Sequence, residues 1–326
     1  MARVDYGGQA LLEGVMMRGR GAIGVAFRHP DGSIVATSEP LNSILHRNRF
    51  ARAPFVRGVV LLYETLVIGT RWLMRSGSVQ AEGEGEQMGR STIAITLIVT
   101  LALAVGLFVL LPLFLADATT RIALGPDQAL AQHLVEGLIR VAIFVGYLLL
   151  VSRSAEIRRT FQYHGAEHMT IHALEHEDPL DIEHVRQYPT AHPRCGTEFL
   201  VIFIILSILM FSLLVGQSLL VSIIGRILLI PVIASISYEL LRFGAKHRDK
   251  LWLRWLYLPG IWLQGITTKQ PDDGMIAVAI ASMQEALAAN HEDAPAGSWD
   301  VPRRPMPTGA DKAVSEQESS PDHLTQ

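Results

Sequence analysis

The chain is poor in charge and in cysteine. Only 18% of its 326 residues are charged, whereas 49% are hydrophobic, and this balance argues against two ordinary soluble domains. The formal net charge of -3 provides no chain-wide basic field, so we expect no nucleic-acid partner. The single cysteine, Cys195, cannot form an intramolecular disulfide and is therefore a packed thiol, a metal ligand or a nucleophile.

Charge is absent from two long segments that contain 25 and 27 consecutive uncharged residues, at 91–115 and 199–225. A helix of that length crosses a hydrocarbon core of ~30 Å at ~1.5 Å per residue. Two further segments, 134–152 and 227–243, are apolar apart from a few charges, and we expect the last two spans to turn about Gly225 and Arg226. The N-terminal segment has no apolar run of the signal-peptide type, so we expect targeting to depend on these four interior spans.

The distribution of basic residues predicts the orientation in the membrane. Residues 1–90 contain eleven arginines and residues 153–198 contain five, whereas the segment 116–133 contains only Arg121. Basic residues concentrate on the cytoplasmic side, and a further cluster at 242–254 follows the last span. We therefore expect a multi-pass protein of the bacterial inner membrane with both termini in the cytoplasm and the lipid bilayer as its surroundings.

The remaining segments complete a mainly α fold. Two apolar stretches interrupted by charge, 56–73 and 251–266, are expected to be interfacial helices, and 22–37 has the pattern of a β-hairpin. The fold class is thus a polytopic membrane protein with about four transmembrane helices, two interfacial helices and a small N-terminal β element. The expected order is a β element with an interfacial helix (1–90), a transmembrane hairpin (91–152), a His-rich cytoplasmic loop (153–198), a second hairpin (199–243), interfacial and C-terminal helices (244–290) and a disordered tail (291–326).

Histidine is concentrated in one loop, where six of the twelve histidines lie between residues 164 and 192. Four of them recur at intervals of four residues, so that on a helix each is rotated ~40° from the one before and neighbours can share a metal ion. The first two belong to His164-Gly-Ala-Glu167-His168, an H-x-x-E-H pattern. In this inverse of the zincin motif two imidazoles bind Zn²⁺ and the carboxylate acts on bound water.

The third ligand is not fixed by spacing. Glu175 lies seven residues after His168, and His192 and Cys195 offer an imidazole and a thiol three residues apart. His172 is a further candidate on the same helix. The glycine-rich N-terminal segment lacks the features of a nucleotide-binding loop, and we expect its Glu13 and Arg18 to face the histidine site. A solvated histidine-rich helix and a buried thiol remain the alternatives to a metal site.

Four motifs together resemble the YqhQ-like family, a bacterial membrane family of unknown function (DUF1385). They are GGQALLEGVMMRG at 7–19, HGAEH at 164–168, HPRCGT at 192–197 and PGIWLQGITTKQP at 259–271. Because the family is described as predicted metal-dependent enzymes, the resemblance implies a metal site. Its first candidate residues are then His164, Glu167, His168, His192 and Cys195, followed by Glu13.

These observations lead to three hypotheses. The first is a zinc-dependent hydrolase in which His164 and His168 hold a divalent metal and Glu167 activates water. The second is a non-enzymatic assembly or translocation factor that binds other membrane proteins and has a structural metal site. The third is a small transporter that uses the charged residues within the spans, Glu136, Arg140, Glu239 and Arg242.

Overall fold

The structure is a computed structural model that describes residues 6–44, 48–84, 90–123, 129–192, 195–214, 217–246 and 251–306. It is mainly helical, with a small sheet formed by the two ends of the chain. The strands are β1 (Gly7–Leu11), β2 (Gly14–Arg18), β3 (Ala22–Arg28), β4 (Ile34–Pro40) and β5 (Arg304–Pro305). The helices before the histidine loop are α1 (Val56–Glu84), α2 (Arg90–Val105), α3 (Leu111–Ala123) and α4 (Ala129–Val151). Those that follow are α5 (Ala155–Glu175), α6 (Ile182–Val185), α7 (Gly196–Phe211), α8 (Leu219–Lys246), α9 (Leu251–Thr267) and α10 (Asp273–Ala289).

The sheet has the strand order β1-β2-β3-β4-β5, antiparallel except for β5, which pairs parallel with β4. The predicted hairpin at 22–37 is confirmed by β3 and β4. Strands β1 and β2 were not predicted, because the two residues that join them, Leu12 and Glu13, are not typical turn residues. Glu13 adopts a φ of 51°, a conformation that non-glycine residues rarely adopt.

Helix α10 covers one face of the sheet. Its first turn is capped by Asp272, whose side chain accepts a 2.9 Å hydrogen bond from Met275 N. Gly24 of β3 lets the helix approach closely, because a Cβ atom at this position would lie 2.2 Å from the carbonyl oxygen of Ser282. Helix α5 packs beside α10 in the same hydrophobic core.

The opposite face of the sheet rests on α1. Successive residues of a strand point to opposite faces, so Val15 and Ala26 join the core with α5 and α10, whereas Val25 and Phe27 join a second core. The ring of Phe27 lies 6.2 Å from that of Trp72, on α1. The sheet is therefore covered on both faces by helices that are distant from it in sequence.

The prediction of a disordered tail at 291–326 is wrong for residues 291–306. Val301 and Met306 are buried, and Arg303 pairs with Glu285 at 2.8 Å. The expectation failed because composition measures average polarity, whereas a few apolar anchors suffice to dock an extended segment on a sheet edge. The rest of this segment, 307–326, lies outside the described residues.

Three helices of the described part of the chain are long and apolar enough to cross a membrane: Ile98–Thr119, Gly196–Leu214 and Leu220–Gly244. A fourth candidate is α4, which passes the same test only together with α5. The two form a pair, Val135–Val151 and Ala155–Glu175, bent by 99°. The helices α1 and α9 cover the predicted interfacial segments and are not among these candidates, and α1 extends eleven residues beyond the predicted end at residue 73.

The turn between the last two candidate spans lies earlier than predicted. Leu214 ends the first of them, and α8 begins at Leu219 and continues as a regular helix through Gly225 and Arg226. Gly225 and Arg226 are residues typical of a turn in sequence. In the structure, however, Arg226 is only 1% exposed and forms an ion pair with a residue of another helix.

That partner is Glu136 of α4, which also pairs with Arg140. The carboxylate lies 2.5 Å from a guanidinium nitrogen of each arginine, and a second nitrogen of Arg226 lies at 2.9 Å. Both guanidinium groups also contact the ring of Phe211, with 5.1 and 5.2 Å between carbon Cζ and the ring centroid. Glu239 is not part of this cluster and instead pairs with Arg57 of α1.

Candidate metal centre

The H-x-x-E-H motif lies on α5, which is held between the sheet and the segment that follows α9. Gly165 permits this packing, because a Cβ atom there would lie 2.2 Å from the carbonyl oxygen of Lys269. His164, Glu167 and His168 line a cavity of about 500 Å³. Its other walls come from β1, α1 and the first turn of α7, so residues far apart in the sequence meet at this cavity.

The imidazole of His164 is oriented by a backbone carbonyl. Its Nδ1 lies 2.9 Å from the carbonyl oxygen of Thr267, which can only accept a hydrogen bond, so the proton of a neutral ring is on Nδ1. The lone pair of Nε2 is then available, and this atom lies 3.3 Å from Sγ of Cys195.

His168 is oriented in the same way. Its Nδ1 lies 2.7 Å from the carbonyl oxygen of Thr190, and the residue is only 1% exposed. Burial and the neighbouring histidines keep the pKa of His168 well below its usual value, so the ring is neutral at physiological pH. A neutral imidazole with its other nitrogen bound to a carbonyl is the usual state of a metal-binding histidine.

Cys195 is the N-cap of α7, and its Sγ accepts a hydrogen bond of 3.5 Å from the backbone N–H of Thr197. Burial raises the pKa of the Cys195 thiol, whereas the helix N-terminus and a bound cation favour the thiolate. The potential ligand atoms of His164, His168 and Cys195 all lie within 4.8 Å of one another. Ligands of a tetrahedral zinc ion are separated by about 3.3 to 3.7 Å, so this group needs only small adjustments to hold one.

Glu167 lies beside this group on the same helix turn. The backbone N–H of Gly8 donates a hydrogen bond to its carboxylate, and the second oxygen, Oε2, has no hydrogen-bond partner among the described residues. Burial raises the pKa of Glu167 to about 8, and the nearby His164 opposes that increase. Strand β1 packs tightly here, because a Cβ atom on Gly8 would lie 2.7 Å from the Glu167 carboxylate carbon.

A second group of potential ligands lies one turn further along α5. His172, Glu175 and His192 bring their ligand atoms within 4.8 Å of one another. The sequence left the third ligand of His164 and His168 open among Glu175, His192 and Cys195. In the structure Cys195 joins the first pair, whereas Glu175 and His192 join His172.

The two N-terminal candidates lie near the site but not in it. Glu13 contacts α5 through Arg159, at 2.5 Å, and through the hydroxyl of Tyr163, at 3.2 Å. Arg18 pairs with Glu64 of α1 at 3.1 Å. The expectation that Glu13 and Arg18 face the histidine site is therefore wrong, since neither side chain lines its cavity. Glu13 lies in the turn between β1 and β2, and the N-terminal segment contacts the site instead through the backbone N–H of Gly8, which donates to Glu167.

Sequence reasoning missed the groups that orient the imidazoles. Besides the carbonyls of Thr190 and Thr267, the side chain of Gln264 accepts from His192 N at 2.8 Å and donates to His192 O at 3.0 Å. Gln264 is fully buried. Gln264 and Thr267 both lie in the motif at 259–271. An uncharged polar side chain within an apolar helix is the signal that could have identified them.

The fold defines a class of helical protein with three to four apolar helices and a small sheet. In this class, α5, α9 and the loop before α7 position histidines around one cysteine. The family described as "Protein of unknown function (DUF1385)" matches residues 53–289, and the chain belongs to that family. The chain is 36% identical over 295 residues to "Uncharacterized protein YqhQ" of Bacillus subtilis (strain 168), which covers 86% of this chain and 92% of that protein. No solved structure matches the chain.

Proposed function

We propose that the protein is a zinc-dependent hydrolase of the bacterial inner membrane. The observation that carries the proposal is the convergence of His164, His168 and Cys195 on the wall of a cavity that also contains Glu167. Two imidazoles and one thiolate form a donor set that suits Zn²⁺. Three protein ligands leave a fourth position for water or substrate, as in catalytic rather than structural zinc sites.

The residues present divide the chemistry between them. His164, His168 and Cys195 would hold the zinc ion, which would supply Lewis-acid activation of water and of the substrate. Glu167 would serve as the general base in its ionised form, which a nearby cation favours over the buried neutral acid, and its Oε2 has no hydrogen-bond partner among the described residues. The carbonyls of Thr267 and Thr190 keep both imidazoles in the orientation that metal binding requires.

The apolar residues in the walls of the cavity favour a substrate that arrives from the membrane surface. Phe199 and Leu200 line the cavity and lie in the first turns of α7, directly after the ligand Cys195. A site at the cytoplasmic end of a spanning helix is at the depth of lipid headgroups. This position suits a peptide or lipid ester bond at the interface.

A parity argument supports four membrane crossings. Strands β1 to β4 precede all candidate spans, whereas α10 and β5 follow them, and all of these elements pack in one body. Both ends of the chain therefore lie on the same side of the membrane, and the number of crossings is even. Helix α5 also packs in this body, so the chain crosses twice before it and twice after it. Helix α4, with 23 residues, then serves as the second span.

A structural metal site in an assembly factor is the second candidate function. The observation that favours it is the hydrogen bond from Gly8 to Glu167, which fastens β1 to the helix that contains both histidines. A metal ion would then hold α5 to the start of α7, and the partners of the cytoplasmic face would be other membrane proteins.

Metal content and one conservative variant test both functions. We expect zinc in the purified full-length protein in detergent, with loss of an equivalent in the double variant His164→Ala/His168→Ala. We expect no loss in His184→Ala, which removes a half-buried histidine that contacts Asp181 and belongs to neither ligand group. Protein that never binds zinc would refute both functions. We expect Glu167→Gln to keep the zinc and to lose hydrolysis of p-nitrophenyl acyl esters in micelles by about 10²-fold or more. Hydrolysis at the wild-type rate in Glu167→Gln would favour the structural site.

A further inference from the structure

We propose that His172, Glu175 and His192 form a second metal site, separate from the site of His164, His168 and Cys195. The inference does not depend on hydrolytic activity. Two imidazoles and a carboxylate bind a divalent transition metal such as Zn²⁺ or Mn²⁺. The protein would then hold two metal ions side by side along α5.

The geometry of the three side chains is that of ligands around one ion. His172 and Glu175 are three residues apart on α5 and therefore lie on one face, and His192 approaches from the loop before α7. Its Nε2 lies 3.4 Å from both oxygens of the Glu175 carboxylate. That separation is long for a charged hydrogen bond, whereas it is close to the spacing of two ligands with bonds of about 2.0 to 2.1 Å.

Contacts with the backbone and with a neighbouring ring hold both histidines of this group in place. Nε2 of His172 lies 3.0 Å from the carbonyl oxygen of Ala191, so its proton is on Nε2 and the lone pair is on Nδ1. The ring of Tyr188 stacks on that of His172 with an angle of 7° between the planes. Gln264 fixes the backbone of His192 through two hydrogen bonds. Such orienting contacts are typical of metal-binding histidines.

The two groups are neighbours but have different donors. Ring centroids are separated by 4.4 Å for His164 and His168, by 5.7 Å for His168 and His192, and by 4.5 Å for His192 and His172. The first group contains the soft thiolate of Cys195, and its members His168 and Cys195 are buried. The second contains a carboxylate and opens to solvent on the side of Glu175. The difference in donors makes the sites distinguishable by spectroscopy.

Cobalt titration of the metal-free, full-length protein in detergent tests the proposal. A thiolate ligand gives cobalt a charge-transfer absorption in the near ultraviolet, whereas imidazole and carboxylate ligands do not. We expect the wild-type protein and the control His184→Ala to bind two equivalents. The variant His172→Ala/Glu175→Gln should bind one equivalent and keep the charge-transfer band. The variant His164→Ala/Cys195→Ser should bind one equivalent without the band.

The outcomes separate this proposal from the proposed function. The proposal is overturned if wild-type protein binds no metal or only one equivalent with the charge-transfer band, or if His172→Ala/Glu175→Gln binds as much metal as wild type. Loss of both equivalents in that variant would also overturn it, because the two groups would then form one site. The retained charge-transfer band verifies that the variant is folded. Binding only at the second site would refute the zinc hydrolase and support this inference.

Discussion

The contact between Gly24 and α10 joins the two ends of the chain, and Gly24→Ala is the change that tests it most directly. An added Cβ atom would lie 2.2 Å from the carbonyl oxygen of Ser282 and 2.3 Å from the backbone nitrogen of Ala286. Ordinary contacts of a Cβ atom begin at 3.4 Å, so the gap is too small by more than 1 Å. Both neighbours are backbone atoms, which cannot rotate away, and the whole helix must move.

The expected loss of stability follows from two terms. Overpacking of a filled core costs about 1–3 kcal/mol. Displacement of α10 also stretches the buried hydrogen bond of 3.0 Å from the Ser282 hydroxyl to the carbonyl oxygen of Gly24, and an unsatisfied buried group costs about 1–3 kcal/mol. Replacement of glycine also lowers the conformational entropy of the unfolded chain, which offsets about 0.4–1 kcal/mol of the lost stability. The net decrease in the free energy of unfolding is thus about 1–5 kcal/mol.

Thermal unfolding of the purified protein in detergent, monitored by intrinsic tryptophan fluorescence, measures this effect. With about 2–4 °C for each kcal/mol, we expect Gly24→Ala to lower Tm by about 2 °C or more. The matched control is Gly7→Ala on the edge strand β1, where a Cβ atom would have no neighbour within 4 Å. Equal Tm values for Gly24→Ala and Gly7→Ala would refute the placement of α10 on β3 and, with it, the parity argument for four crossings.

Two further changes test ion pairs. Glu136→Gln leaves the guanidinium of Arg226 buried without a counter-ion and should lower the free energy of unfolding by about 3–5 kcal/mol. The effect is measured as a Tm shift in detergent. A loss below about 1 kcal/mol would contradict the buried cluster. The pKa of Glu13 is lowered: burial raises it, but the hydrogen bond and charge of Arg159 have the greater combined effect. The stabilisation by this pair is therefore complete above the unfolded pKa of 4.5 and is lost as the pH falls through the lower folded value. A Tm difference between Glu13→Gln and wild type that is present at pH 7 and disappears in acid is the expected result, and a difference independent of pH would contradict it.

The helices and the proximity of the first two candidate ligands could be predicted because their signals are local. Long uncharged runs identify apolar helices without any knowledge of their neighbours. The spacing of His164, Glu167 and His168 places them on one helix face by geometry alone. The choice of Cys195 as the third member of that group depended on the path of the loop between α5 and α7, which no periodicity describes.

The parts that were missed depend on contacts between distant segments. Strands β1 and β2 lack alternation and turn residues, and they are stable because α1 and α5 cover them. Arg226 was interpreted as a turn residue, because its partner Glu136 lies 90 positions away. The anchors Val301 and Met306 were too few to change the average polarity of the segment that contains them.

The pairing of β4 with β5 has a consequence for biosynthesis. Strand β4 ends at Pro40 and β5 at Pro305. At synthesis rates of about 5–20 residues per second, β5 is therefore synthesised roughly 15 to 50 s after β4. During most of that time the face of the sheet that α10 covers lacks this helix. Closure of the sheet therefore cannot precede the synthesis of α10 and β5, and a nascent chain truncated before α10 leaves this apolar face uncovered.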